Sequence, residues 1–282
     1  MIVSVHAGIL SRLTSVPAEA VDIAAKAGIK YLELPVQLPE WKINPETVTQ
    51  ENITEVKETL GLRVKASSLG AIWPDKYPMV TTSSVEWKRN LDYANKLFNL
   101  AVTLDAKVMN LGGGQVRSVP TSMPYYDGVK LLAKFWKEAS KQAENLGVIV
   151  AIEHFGRHET NVGDSTKQII DLIKAVDSPS FQMNAQIFAM AYTDLDVPAA
   201  IKASRRMIKL VHIADVLGIN PLTESISTVL PGRGKLDFKA IFRALKIIGY
   251  DGEICIEVGL GKDPASELAE SRRFIEANWR EA

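Results

Sequence analysis

The sequence predicts an α/β chain that folds as a single (β/α)8 barrel, the TIM-barrel architecture, over residues 1–282. The first observation is a recurring order of amphipathic helix, glycine and strand, centred on Gly28, Gly61, Gly147 and Gly249. A glycine just past a helix ends it, because glycine takes the left-handed conformation at little steric cost. The second observation is the number of repeats. Eight strands alternating with helices favour one closed parallel barrel of about 250 residues over an open sheet.

The predicted strands and helices follow one another along the whole chain. The strand candidates are residues 2–6, 30–34, 62–67, 106–111, 148–153, 181–184, 208–213 and 253–258. Between them, apolar residues recur at helical spacing, which predicts helices with one face against the barrel. Two such stripes are Leu132, Phe135, Trp136, Ala139, Ala143 and Leu146, and Phe238, Ile241, Phe242, Leu245 and Ile248. Pro17 and Asp237 are residue types that commonly start a helix.

The connections between these elements differ in length. The turns from helix to strand are short, whereas several loops from strand to helix are long: residues 70–83, 112–124, 154–164 and 216–235. Loops that follow the strands lie at the carboxyl end of such a barrel, where enzymes of this architecture have their active sites. The sequence therefore predicts an active site on that rim.

The composition favours a small-molecule partner. The chain has 33 Lys and Arg residues against 33 Asp and Glu residues, so it lacks the broad positive charge that nucleic acids or anionic membranes require. The amino terminus MIVSVH has neither the basic leader nor the apolar run of a signal peptide, so we expect a cytoplasmic protein. The single cysteine, Cys255, is expected to pack inside the barrel. The oligomeric state is left open, a homo-oligomer included.

Four separate strands end in residues that can bind a metal ion. The segments IVAIE, FQMN, LVHIAD and EICIE place Glu153, Asn184, His212 and Glu257 at or near strand ends. Alternation along a strand puts these side chains on the same face as small or apolar neighbours. A carboxylate or imidazole in such surroundings is costly to bury unless it is paired, hydrogen-bonded or bound to a metal. The pattern indicates a metal site.

Several motifs resemble one known family. They are Glu153 closing the fifth strand, H-x-x-D at His212 and Asp215, G-x-G followed by L-D-F at Gly232, Gly234 and residues 236–238, and G-Y-D-G-x-x-x-I-E ending at Glu257. This set resembles the xylose isomerase-like barrel superfamily, in particular its sugar phosphate isomerase/epimerase group. The resemblance implies one divalent metal ion (Mn, Mg, Co or Zn) bound by Glu153, Asn184, His212 and Glu257. The family usually has aspartate at Asn184 and histidine three residues later, where this chain has Ile187.

The chemistry that fits a metal ion and two carboxylates is proton transfer next to a carbonyl group. A metal ion that binds a hydroxyl-carbonyl fragment acidifies the adjacent C–H bond. Glu153 and Glu257 would then act as acid and base through an enediolate, giving an isomerase or epimerase for a sugar, keto-sugar or cyclitol. A leaving group beta to the carbanion would instead give a related lyase or dehydratase.

Further residues are candidates for substrate contacts, and each also has a structural interpretation. The candidates are His6, His154, His158, Asp215 and Arg233. Asp215 is expected to orient His212 or a substrate hydroxyl, and Arg233 suits a substrate hydroxyl or carboxylate. The structural alternatives are ordinary loop contacts, an ion-paired role for Glu153 and Glu257, a core position for His212 and a strand-end role for Asn184. Glu33 is interpreted as structural.

Three classes of function remain at this stage. The first is the metal-dependent isomerase, epimerase or related lyase. The second is DNA cleavage by a nuclease branch that resembles the same barrel, but that branch needs many histidines and this chain has four in total. The third is a catalytically inactive sugar-binding barrel, which is suggested by Asn184 and Ile187. The metal content of the purified protein would separate the first class from the third.

Overall fold

Eight parallel strands close into a barrel in the computed structural model, which describes residues 1–194, 196–220 and 225–282. The barrel strands are β1 (Ile2–His6), β2 (Tyr31–Pro35), β3 (Lys65–Gly70), β4 (Val108–Leu111), β5 (Ile149–Glu153), β6 (Phe181–Gln186), β7 (Ile208–Ile213) and β10 (Glu253–Ile256). Their order around the barrel is β1, β10, β7, β6, β5, β4, β3 and β2, so β1 closes against both β10 and β2. The predicted fold class is confirmed.

Helices surround the barrel and alternate with its strands. They are α1 (Ala7–Leu10), α2 (Pro17–Lys26), α3 (Gln50–Leu60), α4 (Ser84–Thr103), α5 (Gly114–Arg117), α6 (Tyr125–Leu146), α7 (Thr166–Val176), α8 (Ile187–Thr193), α9 (Val197–Ser204), α10 (Phe238–Ile247) and α11 (Pro264–Glu281). Short 3-10 turns lie at Pro39–Trp41 and Arg205–Met207. Among the described residues, no helix combines the length and the apolar character needed to cross a membrane.

The long helix α6 shows how the sequence pattern produces this packing. Its predicted apolar stripe is buried against the barrel, with Phe135 and Trp136 at the centre. Trp136 stacks on Phe181 of β6, with ring centroids 5.4 Å apart. The helix ends at Gly147, whose φ of 65° lies in the left-handed region that an L side chain rarely adopts.

Six of the eight barrel strands differ from the predicted bounds, by one to three residues at an end. The third strand begins at Lys65 rather than at residue 62, because the chain still turns after α3 and Leu62 is fully exposed to solvent. The sixth strand continues to Gln186, two residues beyond the predicted end, because it pairs with β7 up to His212. This extension carries one more inward-facing side chain to the carboxyl end of the barrel.

The loop predicted for residues 216–235 contains a hairpin. Strand β8 (Asp215–Asn220) pairs antiparallel with β9 (Ser225–Val229). Residues 221–224 of the predicted loop lie outside the described residues. The hairpin adds Thr228 to the rim where the active site was expected.

The barrel interior changes from apolar to polar along its axis. Ala151, Leu210 and Cys255 form a small apolar layer, which confirms the interior position predicted for Cys255. Polar side chains lie beyond this layer at both ends of the barrel, around Glu253 at the amino end and around Glu257 at the carboxyl end. The assignment of residues 1–282 to one domain stays a prediction.

Candidate active site

Three side chains from three strands meet at the carboxyl end of the barrel. Glu153 ends β5, His212 lies near the end of β7, and Glu257 directly follows β10. His212 Nδ1 lies 3.0 Å from Glu153 Oε1 and 2.8 Å from Glu257 Oε2. Because parallel strands end on one rim, residues that are far apart in the sequence meet here. The structure thus brings together three of the four residues that the sequence suggested as metal ligands.

Gln186, the last residue of β6, closes this group on its other side. Its Nε2 donates to Glu153 Oε1 at 2.8 Å and to Glu257 Oε2 at 3.3 Å. The same two carboxylate oxygens therefore face both His212 Nδ1 and the Gln186 amide. We call Glu153, Gln186, His212 and Glu257 the rim cluster. The sequence analysis missed Gln186 because its predicted strand ended too early, although alternation places Gln186 on the same face as Asn184.

Behind His212, Glu33 of β2 holds the second ring nitrogen. Glu33 Oε2 lies 3.0 Å from His212 Nε2, and Glu33 Oε1 lies 3.3 Å from His6 Nε2. His6 Nδ1 accepts a hydrogen bond from the Gly8 backbone at 3.0 Å. Glu33 Oε2 is hydrogen-bonded to His212, whereas Oε1 lies near His6 without a hydrogen-bond partner among the described residues, so Glu33 orients His212. The available signal was its inward-facing position between Leu32 and Leu34.

The protonation of the rim cluster depends on three carboxylates packed around one imidazole. Burial alone would lower the pKa of His212, but Glu33, Glu257 and Glu153 raise this pKa well above its usual range. Burial raises the pKa of Glu153, although the nearby His212 opposes the shift. Burial would also raise the pKa of Glu257, but His212 outweighs it and lowers this pKa to about 2. The two glutamates are therefore driven towards opposite protonation states.

The donor atoms of the rim cluster fit a divalent ion. One ligand atom each from Glu153, His212 and Glu257 lies within 4.8 Å of the other two. Gln186 Oε1 is a buried oxygen with no hydrogen-bond partner among the described residues. Two carboxylates, an imidazole and an amide oxygen are ligands that Mn, Mg, Co or Zn accept. Glu33 on His212 Nε2 also matches the outer carboxylate that usually orients a metal-binding histidine.

A second group of potential ligand atoms is less suitable. Glu33, His212 and Cys255 also lie within 4.8 Å of one another. Burial raises the pKa of the Cys255 thiol well above its usual range. The rim cluster offers two carboxylates beside the same imidazole, so it is the better set of candidate ligands for a divalent ion.

Asn184 lies outside the rim cluster. Its Nδ2 donates to Asn110 Oδ1 at 3.0 Å, and Asn110 Nδ2 donates in turn to Glu153 Oε2 at 3.1 Å. Asn184 is thus separated from the nearest carboxylate by a second amide. A ligand role for Asn184 stays a prediction; β6 reaches the carboxylates directly with Gln186, two residues further along the same face.

The two histidines after β5 lie away from the rim cluster. His154 follows the inward-facing Glu153 and is fully buried, with Nε2 2.9 Å from Thr193 Oγ1 and 3.5 Å from Asp194 Oδ2. This position gives no support to the substrate contact expected for His154, which stays a prediction. His158 is half exposed, and its Nε2 lies 3.7 Å from Glu159 Oε2. A substrate contact by His158 stays a prediction.

The carboxylate of Asp215 contacts the loop after the hairpin, and among the described residues it makes no hydrogen bond to His212. This carboxylate accepts backbone N–H bonds from Val216, Gly232, Gly234 and Leu236 at 2.8 to 3.1 Å. A Cβ at Gly234 would lie 2.3 Å from Asp215 Oδ1, which explains the second glycine of the G-x-G motif. The expected orienting role of Asp215 is therefore corrected to a loop-building role.

Arg233 in the same loop points to a helix. Its guanidinium lies 2.5 Å from Glu270 Oε2 of α11, and both side chains are about half exposed. The charge of Arg233 is thus paired outside the rim cluster. The expected contact of Arg233 with substrate is not supported by this position.

A cavity of about 470 Å³ adjoins the rim cluster. Its lining includes His6, Arg12, Leu38, Phe188, Thr228 and Glu257. The side chain of Glu257 is 27% exposed, whereas that of Glu153 is 4% exposed, so Glu257 is the carboxylate that faces the cavity. A cavity of this size accommodates a small ligand. His6 takes the pocket-facing position expected from the sequence.

The combination of barrel and rim cluster agrees with a known protein family. The model of the xylose isomerase-like TIM barrel family matches residues 21–278, which is most of the chain. The chain belongs to this family. The resemblance inferred from Glu153, His212 and Glu257 is thereby confirmed at the level of the family.

Similar proteins within this family are named as sugar epimerases. A protein of Escherichia coli strain K12, provisionally named an L-ribulose-5-phosphate 3-epimerase, is 22% identical over 274 residues, covering 94% of this chain and 92% of that protein. The structure of D-psicose 3-epimerase with D-tagatose from Clostridium cellulolyticum H10 superimposes with a TM-score of 0.81, at 17% identity and 99% coverage of both chains. The IOLI protein, whose structure binds a zinc atom, has a TM-score of 0.75, at 18% identity, covering 99% of this chain and 96% of that one. At these identities the solved structures show the shared fold.

Proposed function

We propose that this protein is a metal-dependent ketose epimerase. The observation that carries the proposal is the rim cluster, in which Glu153 and Glu257 both lie within 3.0 Å of one imidazole nitrogen, His212 Nδ1, beside a cavity. The names of the relatives support the reaction class, because the Escherichia coli and Clostridium proteins are both called ketose 3-epimerases. A sugar-sized substrate without a macromolecular partner also suits the size of the cavity. We keep the expectation of a cytoplasmic protein.

The metal ligands in this proposal are Glu153, His212 and Glu257. A bound divalent ion would polarise the substrate carbonyl and acidify the neighbouring C–H bond. Glu33 keeps His212 in the required orientation, since its carboxylate accepts the proton of Nε2 and leaves Nδ1 to face the two glutamates. In this proposal His212 Nδ1 would bind the ion, while His212 Nε2 is held by Glu33.

The two glutamates divide the proton transfer between them. Glu257 faces the cavity, which suits it to take the proton from the substrate carbon. Glu153, the more buried carboxyl of the rim cluster, would return a proton to the other face of that carbon. The C–H electron pair stays on the substrate as an enediolate between the two transfers. Return to the opposite face inverts the carbon, whereas return to the adjacent carbon gives an isomer.

Deuterium uptake from heavy water tests this proposal. Protein loaded with Mn²⁺ would be incubated with free and phosphorylated ketopentoses and ketohexoses, and the products analysed by NMR. We expect deuterium at the epimerised carbon of at least one ketose, with loss of that activity in Glu153→Gln and Glu257→Gln. Glu270→Gln, which changes an exposed glutamate paired with Arg233, is the matched control and should retain turnover.

Other outcomes of the same experiment would change the assignment. Near-normal turnover in either rim variant would contradict the two-base mechanism. A dehydrated dicarbonyl product would instead identify the related lyase. Metal binding without exchange in any ketose would favour the inactive sugar-binding barrel.

A further inference from the structure

We propose that Gln186 supplies a neutral ligand to the metal ion and bridges the two catalytic glutamates when no ion is bound. This inference rests on the metal site of the proposed function and concerns the one residue of the rim cluster that carries no charge. It assigns to Gln186 the place that the sequence gave to Asn184.

The geometry of the amide is fixed by what its neighbours can accept. The NH₂ group of Gln186 faces the two glutamates, because an amide nitrogen donates hydrogen bonds and the carboxylate oxygens of Glu153 and Glu257 accept them. Its two bonds, of 2.8 and 3.3 Å, reach the same oxygens that His212 Nδ1 approaches. Two oxygens and two nitrogens therefore alternate around a small ring. The N–H groups of Gln186 and His212 donate the hydrogen bonds that these carboxylate oxygens accept.

The other end of the amide has no hydrogen-bond partner. Gln186 Oε1 is buried and unpaired among the described residues, while Gln186 itself is 4% exposed. A buried polar atom without a partner is costly, and such atoms are rare in folded proteins. Rotation of the amide about its last side-chain bond would exchange the two ends. An ion between the carboxylates would then be met by Oε1, a ligand type that hard cations accept.

Asn184 also has an unpaired buried oxygen, so the choice between the two amides depends on contact. The Asn184 NH₂ group is bound to Asn110, and Asn110 rather than Asn184 touches Glu153. Gln186 touches both glutamates directly. The register agrees, because Gln186 pairs with His212 across β6 and β7, whereas Asn184 pairs with Leu210 of the apolar layer.

The neutral charge of Gln186 has a measurable consequence. With Gln186 in place, a bound dication would meet two carboxylates. When no ion is bound, the NH₂ group of Gln186 lies between those two carboxylates and donates to both. A glutamate at this position would tighten ion binding, but it would add a third carboxylate where a hydrogen-bond donor stood. Metal affinity should therefore rise while the stability of the metal-free protein falls.

A matched pair of substitutions on one strand tests this inference. Gln186→Glu and Asn184→Asp each replace an amide by a carboxylate on the same face of β6. Mn²⁺ dissociation constants would be measured by calorimetry, and melting temperatures with and without EDTA. We expect Gln186→Glu to bind Mn²⁺ at least about tenfold more tightly, because a full charge at the ion adds direct Coulomb attraction. Asn184→Asp should tighten Mn²⁺ binding by less than Gln186→Glu does, because its charge lies outside the ligand sphere and Coulomb attraction falls with distance.

A third variant covers the case in which Gln186→Glu does not fold. Gln186→Met keeps the length of the side chain and removes the amide, and it should weaken Mn²⁺ binding about tenfold or more. An unchanged constant in Gln186→Met, or a tightening in Asn184→Asp that equals that in Gln186→Glu, would overturn the assignment. If the unmodified protein bound no Mn²⁺ at all, the proposed function itself would fail, which is a distinct result.

Discussion

Two inward-facing glutamates at opposite ends of β10, Glu253 and Glu257, have opposite surroundings. Glu257 follows β10 at the carboxyl end and is approached by His212 Nδ1 and the Gln186 amide. Glu253 starts the same strand at the amino end, and its Oε1 accepts hydrogen bonds from Ser4, Ser67 and Ser68. Both lie on the inward face of the strand, four residues apart.

Their neighbours decide their charge. Burial raises the pKa of Glu253 and the nearby Glu33 raises it further, while the hydrogen bonds from the three serines oppose this shift only in part. Burial would do the same to Glu257, but the charged imidazole beside it reverses the direction. Neutral donors satisfy a buried carboxyl, whereas a cationic partner keeps it ionised. Burial of a glutamate in a barrel therefore does not identify a catalytic base; its partners do.

Substitution of the two glutamates gives the largest expected effect. Glu257→Gln should reduce turnover about 10²-fold or more, because a positioned base is lost. Glu253→Gln keeps an acceptor oxygen for the serines, and we expect turnover within about threefold of the unmodified enzyme. Steady-state rates on the ketose found by deuterium uptake provide the measurement. Equal losses in both variants would mean that the two ends of β10 do not differ in function.

Removing the charge behind His212 should have the next largest effect. In Glu33→Gln, the carboxylate that fixes His212 Nε2 becomes a neutral amide. Loss of such an outer partner weakens metal binding about 10- to 100-fold. Mn²⁺ titration of this variant and of the exposed control Glu270→Gln checks the expectation. Identical constants would show that Glu33 does not act through His212.

The pH dependence of metal binding follows from the raised pKa of His212. The neighbouring carboxylates keep the imidazole protonated above its usual range, and a metal ligand must lose that proton. Mn²⁺ binding should therefore weaken as the pH falls, by about tenfold per unit while one proton is displaced. Calorimetry at several pH values, in buffers with different ionisation enthalpies, measures both the trend and the proton release. A constant affinity across the range would contradict a protonated His212.

The smallest expected effect concerns stability at the amino end of the barrel. Because the folded pKa of Glu253 is raised, the carboxyl contributes stability fully below its ordinary value of 4.5 and loses it as the pH rises through the folded value. The glutamine in Glu253→Gln does not titrate. Relative to the unmodified protein, the free energy of unfolding of this variant should therefore increase by about 1 kcal/mol as the pH rises from acid to mildly alkaline. Urea unfolding at pH 5 and pH 8 gives this difference. A difference that does not vary with pH would place the pKa of Glu253 at its ordinary value.

The barrel could be predicted because its signals are local. Helical stripes such as that of α6, and glycines such as Gly147, mark each element within a short window of sequence. Glu153, His212 and Glu257 were found in the same way, as polar residues that end apolar strands. Leu62 shows the limit of this approach, since its apolar side chain suggested a strand and lies fully exposed in a turn.

The missed residues depend on contacts between distant parts of the chain. Gln186 belongs to the rim cluster because β6 pairs with β7 as far as His212, and no local pattern marks that end. Glu33 acquires its role only from His212 on another strand, and Asp215 from a loop that folds back over it. Strand ends and loop partners are set by tertiary structure, which short sequence windows do not contain.

An anomalous diffraction experiment tests the central claim most directly. Crystals of the unmodified protein soaked in Mn²⁺ should show one anomalous peak within bonding distance of Glu153, His212 Nδ1 and Glu257, with His212 Nε2 still on Glu33. A saturating soak that gave no peak between these side chains, or a peak on Glu33 and Cys255 instead, would contradict the account.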